Sequence, residues 1–268
     1  MSGIDFTTIA TRYERDSLVQ RTAAETLISL LDIRRDDDIL DLGSGAGNLT
    51  RRLRELTGGS VVGIDLAEGM VREAEEKRGG LDIQFAAGNA ESLSVAGVFT
   101  VIFCNSTFQW FRDPGRALRN CHRALKPGGR MGIQAPAKKI YCPVFIAAMD
   151  AVGHDPRTAR TFTGFRSPWL FRESADEYAS LFRDAGFSVP FAKIETITTL
   201  HAPDEVMAIF ESGAAAGYLN QEYYQDRIDN AYVSAFREIV RTTFKGRANP
   251  DGKVNLTFNR IYLVGVKA

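Results

Sequence analysis

The chain has 268 residues, and its 33 Lys and Arg are balanced by 33 Asp and Glu, so its net charge is zero. At 44% hydrophobic and 25% charged the composition is that of a globular protein. Neutrality argues against an extended basic groove for nucleic acid or a polybasic membrane anchor.

The basic residues are scattered through helical stretches beside acids, the pattern of a solvated surface. Cys104, Cys121 and Cys142 are odd in number and form no CxxC pair, and the histidines are far apart. This pattern argues against a disulfide framework and a metal site and fits a reducing compartment. Met1 to Asp16 is polar, without the apolar stretch of a signal peptide, and no run approaches the length of a membrane span. A cytoplasmic protein with neither a nucleic-acid nor a membrane partner is expected.

Asp16 to Leu31 places Leu18, Val19, Ala23, Leu27, Ile28 and Leu31 at helical spacing. After a charged turn, the short apolar run Ile39-Leu40-Asp41-Leu42 is broken by Gly43-Ser44-Gly45-Ala46-Gly47, and a helix follows through Leu49, Leu53 and Leu56. The unit then repeats in outline: strand from Ser60 to Ile64, helix from Ala67 to Lys77, strand from Ile83 to Ala86, then Gly88-Asn89-Ala90-Glu91. Val98 to Cys104 reads as the fourth strand and Gly115 to Leu125 as a helix, stopped by a turn at Lys126-Pro127-Gly128-Gly129. Arg130 to Gln134 is the fifth strand. Strands alternating with helices predict a mostly parallel sheet covered on both faces.

Beyond Pro136 the rhythm changes. Lys138 to Arg172 contains aromatics and many helix breakers, and reads as helical pieces and loops. A helix from Ser174 to Ala185, a β-branched strand from Phe187 to Leu200, a helical region from Pro203 to Phe244 and a closing strand from Asn255 to Lys267 complete the chain. One domain is expected over 1–268, with a core of about 33–136, 174–200 and 254–268. The helical cover would come from about 137–173 and 201–250, folded over the pocket.

The glycine loop is the most informative stretch. Glycines allow a tight turn and a close approach of backbone to ligand, and the following helix N-terminus favours a negatively charged ligand group. A dinucleotide fingerprint needs a third glycine where Asn48 stands. The acid Asp41 at the strand end would repel a pyrophosphate but attract a cationic ammonium group. S-adenosylmethionine has an ammonium, a carboxylate and no phosphate. Asp65, at the end of the second strand about twenty residues on, can accept both ribose hydroxyls of an adenosine.

With these motifs the chain resembles the class I S-adenosylmethionine-dependent methyltransferases, a Rossmann-like α/β fold with a seven-stranded sheet whose last strand is antiparallel. Within them it is most similar to the group of trans-aconitate and malonyl-acyl-carrier-protein O-methyltransferases. The resemblance is carried by Tyr13, Leu18-Val19-Gln20, Asp41 to Gly45, Asp65 with Met70, and Gly88 to Glu91. It continues in Asn105 to Trp110, Leu125 to Gly129 and Leu256 to Tyr262.

It implies S-adenosylmethionine as cofactor, S-adenosylhomocysteine as product, and a small-molecule or carrier-bound substrate. The implied cofactor residues are Tyr13, Asp41, Gly43, Ser44, Gly45, Asp65, Leu66, Met70, Asn89, Ala90, Asn105 and Trp110. Tyr13 would hold the methionine carboxylate, the glycine loop the methionine half and Asp65 the ribose. Met70, Asn89 and Ala90 would meet the adenine. Gln109, Tyr141, Arg166 and Tyr218 are the implied substrate residues.

Departures from the group are Asn89 and Thr100, where acids are usual, and an arginine-free stretch from Gly213 to Leu219. The last favours a small acid or apolar acceptor over a tricarboxylate. A carboxylate is already ionised at neutral pH, so its methylation needs no general base; a phenol or amine would, with His154 the candidate. Cys104 reads as packing rather than a nucleophile. A phenol, amine or carbon acceptor, a nicotinamide oxidoreductase, and a cofactor-binding homologue without catalysis remain as alternatives.

Overall fold

In the computed structural model, residues 18–268 are described. Seven strands form one sheet in the order β3-β2-β1-β4-β5-β7-β6. They are β1 Ile39–Leu42, β2 Val61–Asp65, β3 Gln84–Ala87, β4 Phe99–Asn105, β5 Leu125–Pro136, β6 Ser188–His201 and β7 Val254–Val266. The first five run parallel to one another, and β7 is antiparallel to β5 from Arg130↔Val266 to Pro136↔Arg260.

α1 Leu18–Leu31 precedes β1, and α2 Asn48–Leu56, α3 Glu68–Lys77 and α4 Pro114–Ala124 lie between parallel strands. β1, β2 and β4 are short apolar runs, buried along most of their length because both faces of the sheet are covered there. Leu27 and Leu31 of α1 lie so close to Gly132 of β5 that a Cβ there would come within 2.9 Å of them. On the other face Leu40, Ile102, Cys104, Leu118, Cys121 and Phe182 share one core.

The chain divides into two compact units. The larger, residues 18–139, 169–195 and 260–268, holds the parallel strands and the first four helices. It also contains α7 Ala175–Asp184, started by Ser174 and Glu177 in a reciprocal capping box. The smaller takes its described residues from 140–168 and 196–259. Its core is aromatic: the Phe145 ring meets Phe210 edge-on at 5.0 Å and Phe258 at 5.6 Å. The helical region expected from Pro203 to Phe244 is broken there into α8 Pro203–Ser212, α9 Ala215–Tyr218 and α10 Asn230–Gly246. Breaks fall at Gly213 and at the loop closed by Tyr224, whose hydroxyl donates to the Tyr218 carbonyl at 2.6 Å. The expected helical pieces before them are α5 Pro143–His154 and α6 Ala159–Thr163.

The turn expected at Lys126 to Gly129 is instead a bulge inside a continuous β5. Phe99 pairs with Leu125 and Val101 with Arg130, so the extra residues are absorbed between them. The amide of Gly128 donates to the Lys267 carbonyl and that of Lys267 to Gly129. Pairing on both sides overrides the local turn preference.

Asp37, just before β1, ties the larger unit together. It pairs with Arg130 at 2.7 Å, and accepts from the Arg34 amide and the Thr100 hydroxyl, both at 2.7 Å. Burial pushes its carboxyl up, but these donors outweigh burial and hold it below the ordinary value. Thr100 thus supplies a donor where an acid would set a second negative charge against Asp37. Arg130→Ala should cost about 2–3 kcal/mol, measured as a shift in the urea unfolding midpoint, because it strands Asp37. Thr100→Asp should destabilise as well, and Thr100→Ser should not.

Candidate active site

Every parallel strand of the larger unit points its C-terminal end to one edge of the sheet, where ligands bind in open α/β folds. β1 ends in the glycine loop, with φ of +81° at Gly43 and +53° at Gly45. The two glycines have different reasons. A Cβ at Gly43 would fall 2.1 Å from the Thr107 hydroxyl, so this position is closed by protein. A Cβ at Gly45 would meet nothing within 4 Å among the described residues; they leave its face of the loop open, as a cradle for a ligand must be.

Asp65 holds this loop. One carboxylate oxygen accepts from the Gly45 amide at 2.9 Å, the other from the Ala67 amide at 2.8 Å. Burial raises its carboxyl above the usual range, opposed by these amides. Each oxygen has further lone-pair capacity for ligand hydroxyls. Next to it Leu66 is 74% exposed, a large apolar side chain left open to cover a flat ligand. Met70 is half-buried in the first turn of α3.

Asp41 is 2% exposed and accepts from the Thr50 hydroxyl at 2.6 Å. Burial, reinforced by the negative charge of Asp65, pushes its carboxyl up to about 7. A buried acid with a high pKa is a receptor for a cation, since an arriving positive charge offsets the cost of ionising it. Among the described residues, Ser44 Oγ and Asn105 Oδ1 are buried without a hydrogen-bond partner, and such atoms call for an explanation in a ligand or water. Glycine cradle, ribose-type carboxylate, buried acid and orphaned polar atoms together fit S-adenosylmethionine.

Asn89 caps the 3₁₀ turn Ala90–Ser92 by accepting from the Glu91 amide at 2.9 Å. This leaves its side-chain NH₂ to donate to a ligand. Ala90 beside it is buried, its carbonyl held by Asn120 at 3.0 Å. Past Asn105, Ser106 takes a left-handed φ of +55° and donates its amide to the Gln134 carbonyl at 2.7 Å. Trp110 packs edge-on against Trp169 at 5.5 Å. Gln109 is buried, its side-chain amide donating to the Ser106 carbonyl while Oε1 has no partner among the described residues.

The larger unit thus gathers Asp41, Gly43, Ser44, Gly45, Asp65, Leu66, Met70, Asn89, Ala90, Asn105, Gln109 and Trp110 on the strand-end edge or in the segments that leave it. Tyr141, Arg166 and Tyr218 belong to the smaller unit. There Tyr141 and Tyr218 are buried against each other, and burial raises both hydroxyls, Tyr218 to about 12. Arg166 is exposed, with its amide on the Tyr223 carbonyl. Tyr13 lies outside the described residues. His154 is exposed on the last turn of its helix. Cys104 is fully buried, and burial raises its thiol well above the ordinary value, as packing requires. Thr50 carries no motif, its place in the first turn of the helix after the glycine loop being its signal, while Ser106 and Thr107 lie inside the Asn105 to Trp110 stretch that carries the resemblance. Among the described residues, no cluster of His, Cys, Asp or Glu is arranged to hold a metal ion, and no helix is long and apolar enough to cross a membrane.

Two outcomes follow from this geometry. Gly45→Ala should lose affinity for S-adenosylhomocysteine and lower the melting temperature modestly, through its left-handed backbone alone, whereas Gly43→Ala should lower it further through the added clash with Thr107; calorimetry and thermal unfolding separate the two. Asp41 should make stability fall as pH rises from about 4 to 7. Across that window the unfolded chain gives up a proton that folded Asp41 keeps, so stability is highest below the unfolded value. Asp65 adds a component of the same sign, while Asp37 and Asp38, both lowered, act in the opposite sense at more acidic pH. Asp41→Asn should flatten the fall in melting temperature between pH 5 and 7.

A family profile described as a methyltransferase domain matches residues 40–133, from β1 to the middle of β5. The trans-aconitate 2-methyltransferase of Rhodopseudomonas palustris (strain BisB18) is 28% identical over 273 residues, 96% of this chain and 94% of that protein. The malonyl-acyl-carrier-protein O-methyltransferase of Geobacter sulfurreducens is 31% identical over 190 residues, 63% of this chain and 71% of that protein. Against the enzymes of that name from Pseudescherichia vulneris and Acetivibrio thermocellus, the chain spans 66% and 45% of their length, less than two thirds. Among solved structures, the YcgJ protein of Bacillus subtilis has the same fold, with a TM-score of 0.61 at 19% identity over 92% of this chain and 98% of that one. The chain belongs to the class I S-adenosylmethionine-dependent methyltransferases, in the group that contains the trans-aconitate and malonyl-acyl-carrier-protein O-methyltransferases.

Proposed function

We propose that this enzyme transfers the methyl group of S-adenosylmethionine to a carboxylate oxygen, on a small acid or on a carrier-bound acyl thioester. The observation that carries the cofactor assignment is the Asp65 carboxylate, which binds the Gly45 amide beside the open face of the loop. The cofactor supplies a methyl group on a positively charged sulfur; the remaining work belongs to the chain.

Asp65 accepts the ribose hydroxyls. Leu66 and Met70 cover the base, and Asn89 and Ala90 meet its edge. Asp41 provides the negative charge that favours an ammonium group, with Gly43 and Ser44 beside it, and Tyr13 completes the methionine end. Asn105 and Trp110 line the strand-end mouth. Of the substrate residues that the resemblance implies, Gln109 belongs to the larger unit with the cofactor residues.

A carboxylate acceptor suits this residue set. Methyl transfer from a sulfonium is an in-line displacement that joins opposite charges, so alignment and exclusion of water are the main tasks. A carboxylate nucleophile needs no base, and His154, the one base named for other acceptors, is solvent-exposed. Support for the acceptor comes from the O-methyltransferase relatives.

Asp65→Ala should weaken S-adenosylhomocysteine binding by roughly 1.5–3 kcal/mol, as read by calorimetry on the folded variant. A radiolabelled methyl-transfer screen over small carboxylic acids and malonyl-acyl carrier protein should give base-labile methyl esters. Base-stable products formed only on amines or carbon would remove the carboxylate reading and leave the cofactor site standing.

A further inference from the structure

A neutral chain can still hide a local charge asymmetry. From Arg112 to Lys126 this sequence carries Arg112, Arg116, Arg119, Arg123 and Lys126 against a single acid, Asp113. The general pattern of bases beside acids fails here.

The structure shows what that asymmetry becomes. Asp113 caps α4 by accepting from the Arg116 amide at 2.9 Å, and Pro114 occupies the first turn. The helix buries Ala117, Leu118, Cys121 and Ala124. Arg116, Arg119 and Arg123 fall at three- and four-residue spacing on the opposite face, all exposed. The helix itself contains no Asp or Glu.

Lys126 is neutralised by Asp38 at 2.7 Å, and Arg123 bonds the Leu93 carbonyl and Asn120. Among the described residues no ion pair engages Arg116 or Arg119. The stripe starts at the functional edge: the amides of Arg112 and Asp113 both bond Glu91, beside the turn that holds Asn89 and Ala90, and Arg112 follows Trp110 by two residues. Like charges one helical turn apart repel, so the row lowers helix stability and contributes nothing to the core.

We infer that the arginine face of α4 is a docking surface for an acidic protein, and that this protein is the acyl carrier that delivers a thioester-linked carboxylate substrate. The inference rests on the carboxylate reading above and selects its carrier-bound form. Charge complementarity identifies the partner's chemistry: a row of carboxylates on a helix or loop, drawn to a matching row of guanidinium groups. The 11-residue helix offers a stripe roughly 16 Å long, the scale of one facing helix. On a chain of zero net charge it creates no extended positive field for a nucleic-acid duplex.

The test is the double charge reversal Arg116→Glu/Arg119→Glu in the full chain, with Arg116→Lys/Arg119→Lys as the conservative control. With malonyl-acyl carrier protein as substrate, the reversal should raise KM roughly tenfold, and the lysine pair should largely restore it. KM for malonyl N-acetylcysteamine thioester, which has no protein to dock, should stay unchanged, as should S-adenosylhomocysteine affinity, which also reports folding. Fluorescence anisotropy with the unloaded carrier protein should show salt-sensitive binding that the reversal abolishes. A KM that rises equally for both thioesters, unloaded carrier binding that is absent or indifferent to the reversal, or equal competition by a DNA duplex would each overturn the inference. If neither thioester is methylated, the carboxylate reading fails by itself, and the anisotropy titration still decides the docking surface.

Discussion

The site depends on one carboxylate placed where three elements meet. Asp65 ends β2, receives the Gly45 amide from the loop after β1 and the Ala67 amide from the start of α3. Without those acceptors the amides at the turn would lie unpaired near a buried edge, at a cost comparable to a lost hydrogen bond each. The bonds also set the direction of the loop, which turns its open face away from Thr107 and toward the strand ends. On the proposed function, structural and binding roles fall on the same oxygens.

A second carboxylate shows the opposite arrangement. Asp37 is surrounded by donors and stays ionised, which suits a group that ties β1, β4 and β5 together. Asp41, four residues later, has the Thr50 hydroxyl and the repulsion of Asp65, so burial dominates and its carboxyl titrates near neutrality. The same residue type becomes a fastener at one end of β1 and, on the proposed function, a cation receptor at the other. The number of donors around each carboxylate separates the two roles.

Surface charge follows a comparable division. Overall neutrality conceals a helix whose exposed face is purely cationic, and its arginines lie outside the intramolecular ion pairs that occupy Arg52, Arg157 and Arg183 elsewhere. Charge that is not spent within the fold is available to a partner.

Much of this was legible in the chain itself. Ile39 to Leu42 and the glycines that follow mark a strand and a tight turn by their spacing alone, because backbone geometry there is local. The alternation of apolar runs and amphipathic helices likewise announced the parallel sheet. What tertiary structure decided were the relations between distant segments. Lys-Pro-Gly-Gly at 126–129 has the composition of a turn, yet becomes a bulge because β4 and the end of β7 pair with it. Gly43 looks like Gly45 in the sequence, but only folding brings Thr107 against one and leaves the other open. The long helical stretch after Pro203 divides where Tyr224 reaches back to Tyr218. Asp41 acquires its high pKa from burial and from Asp65, neither of which is a property of its neighbours in the chain. Local preferences are written residue by residue, whereas burial and long-range contact exist only once the chain has closed on itself.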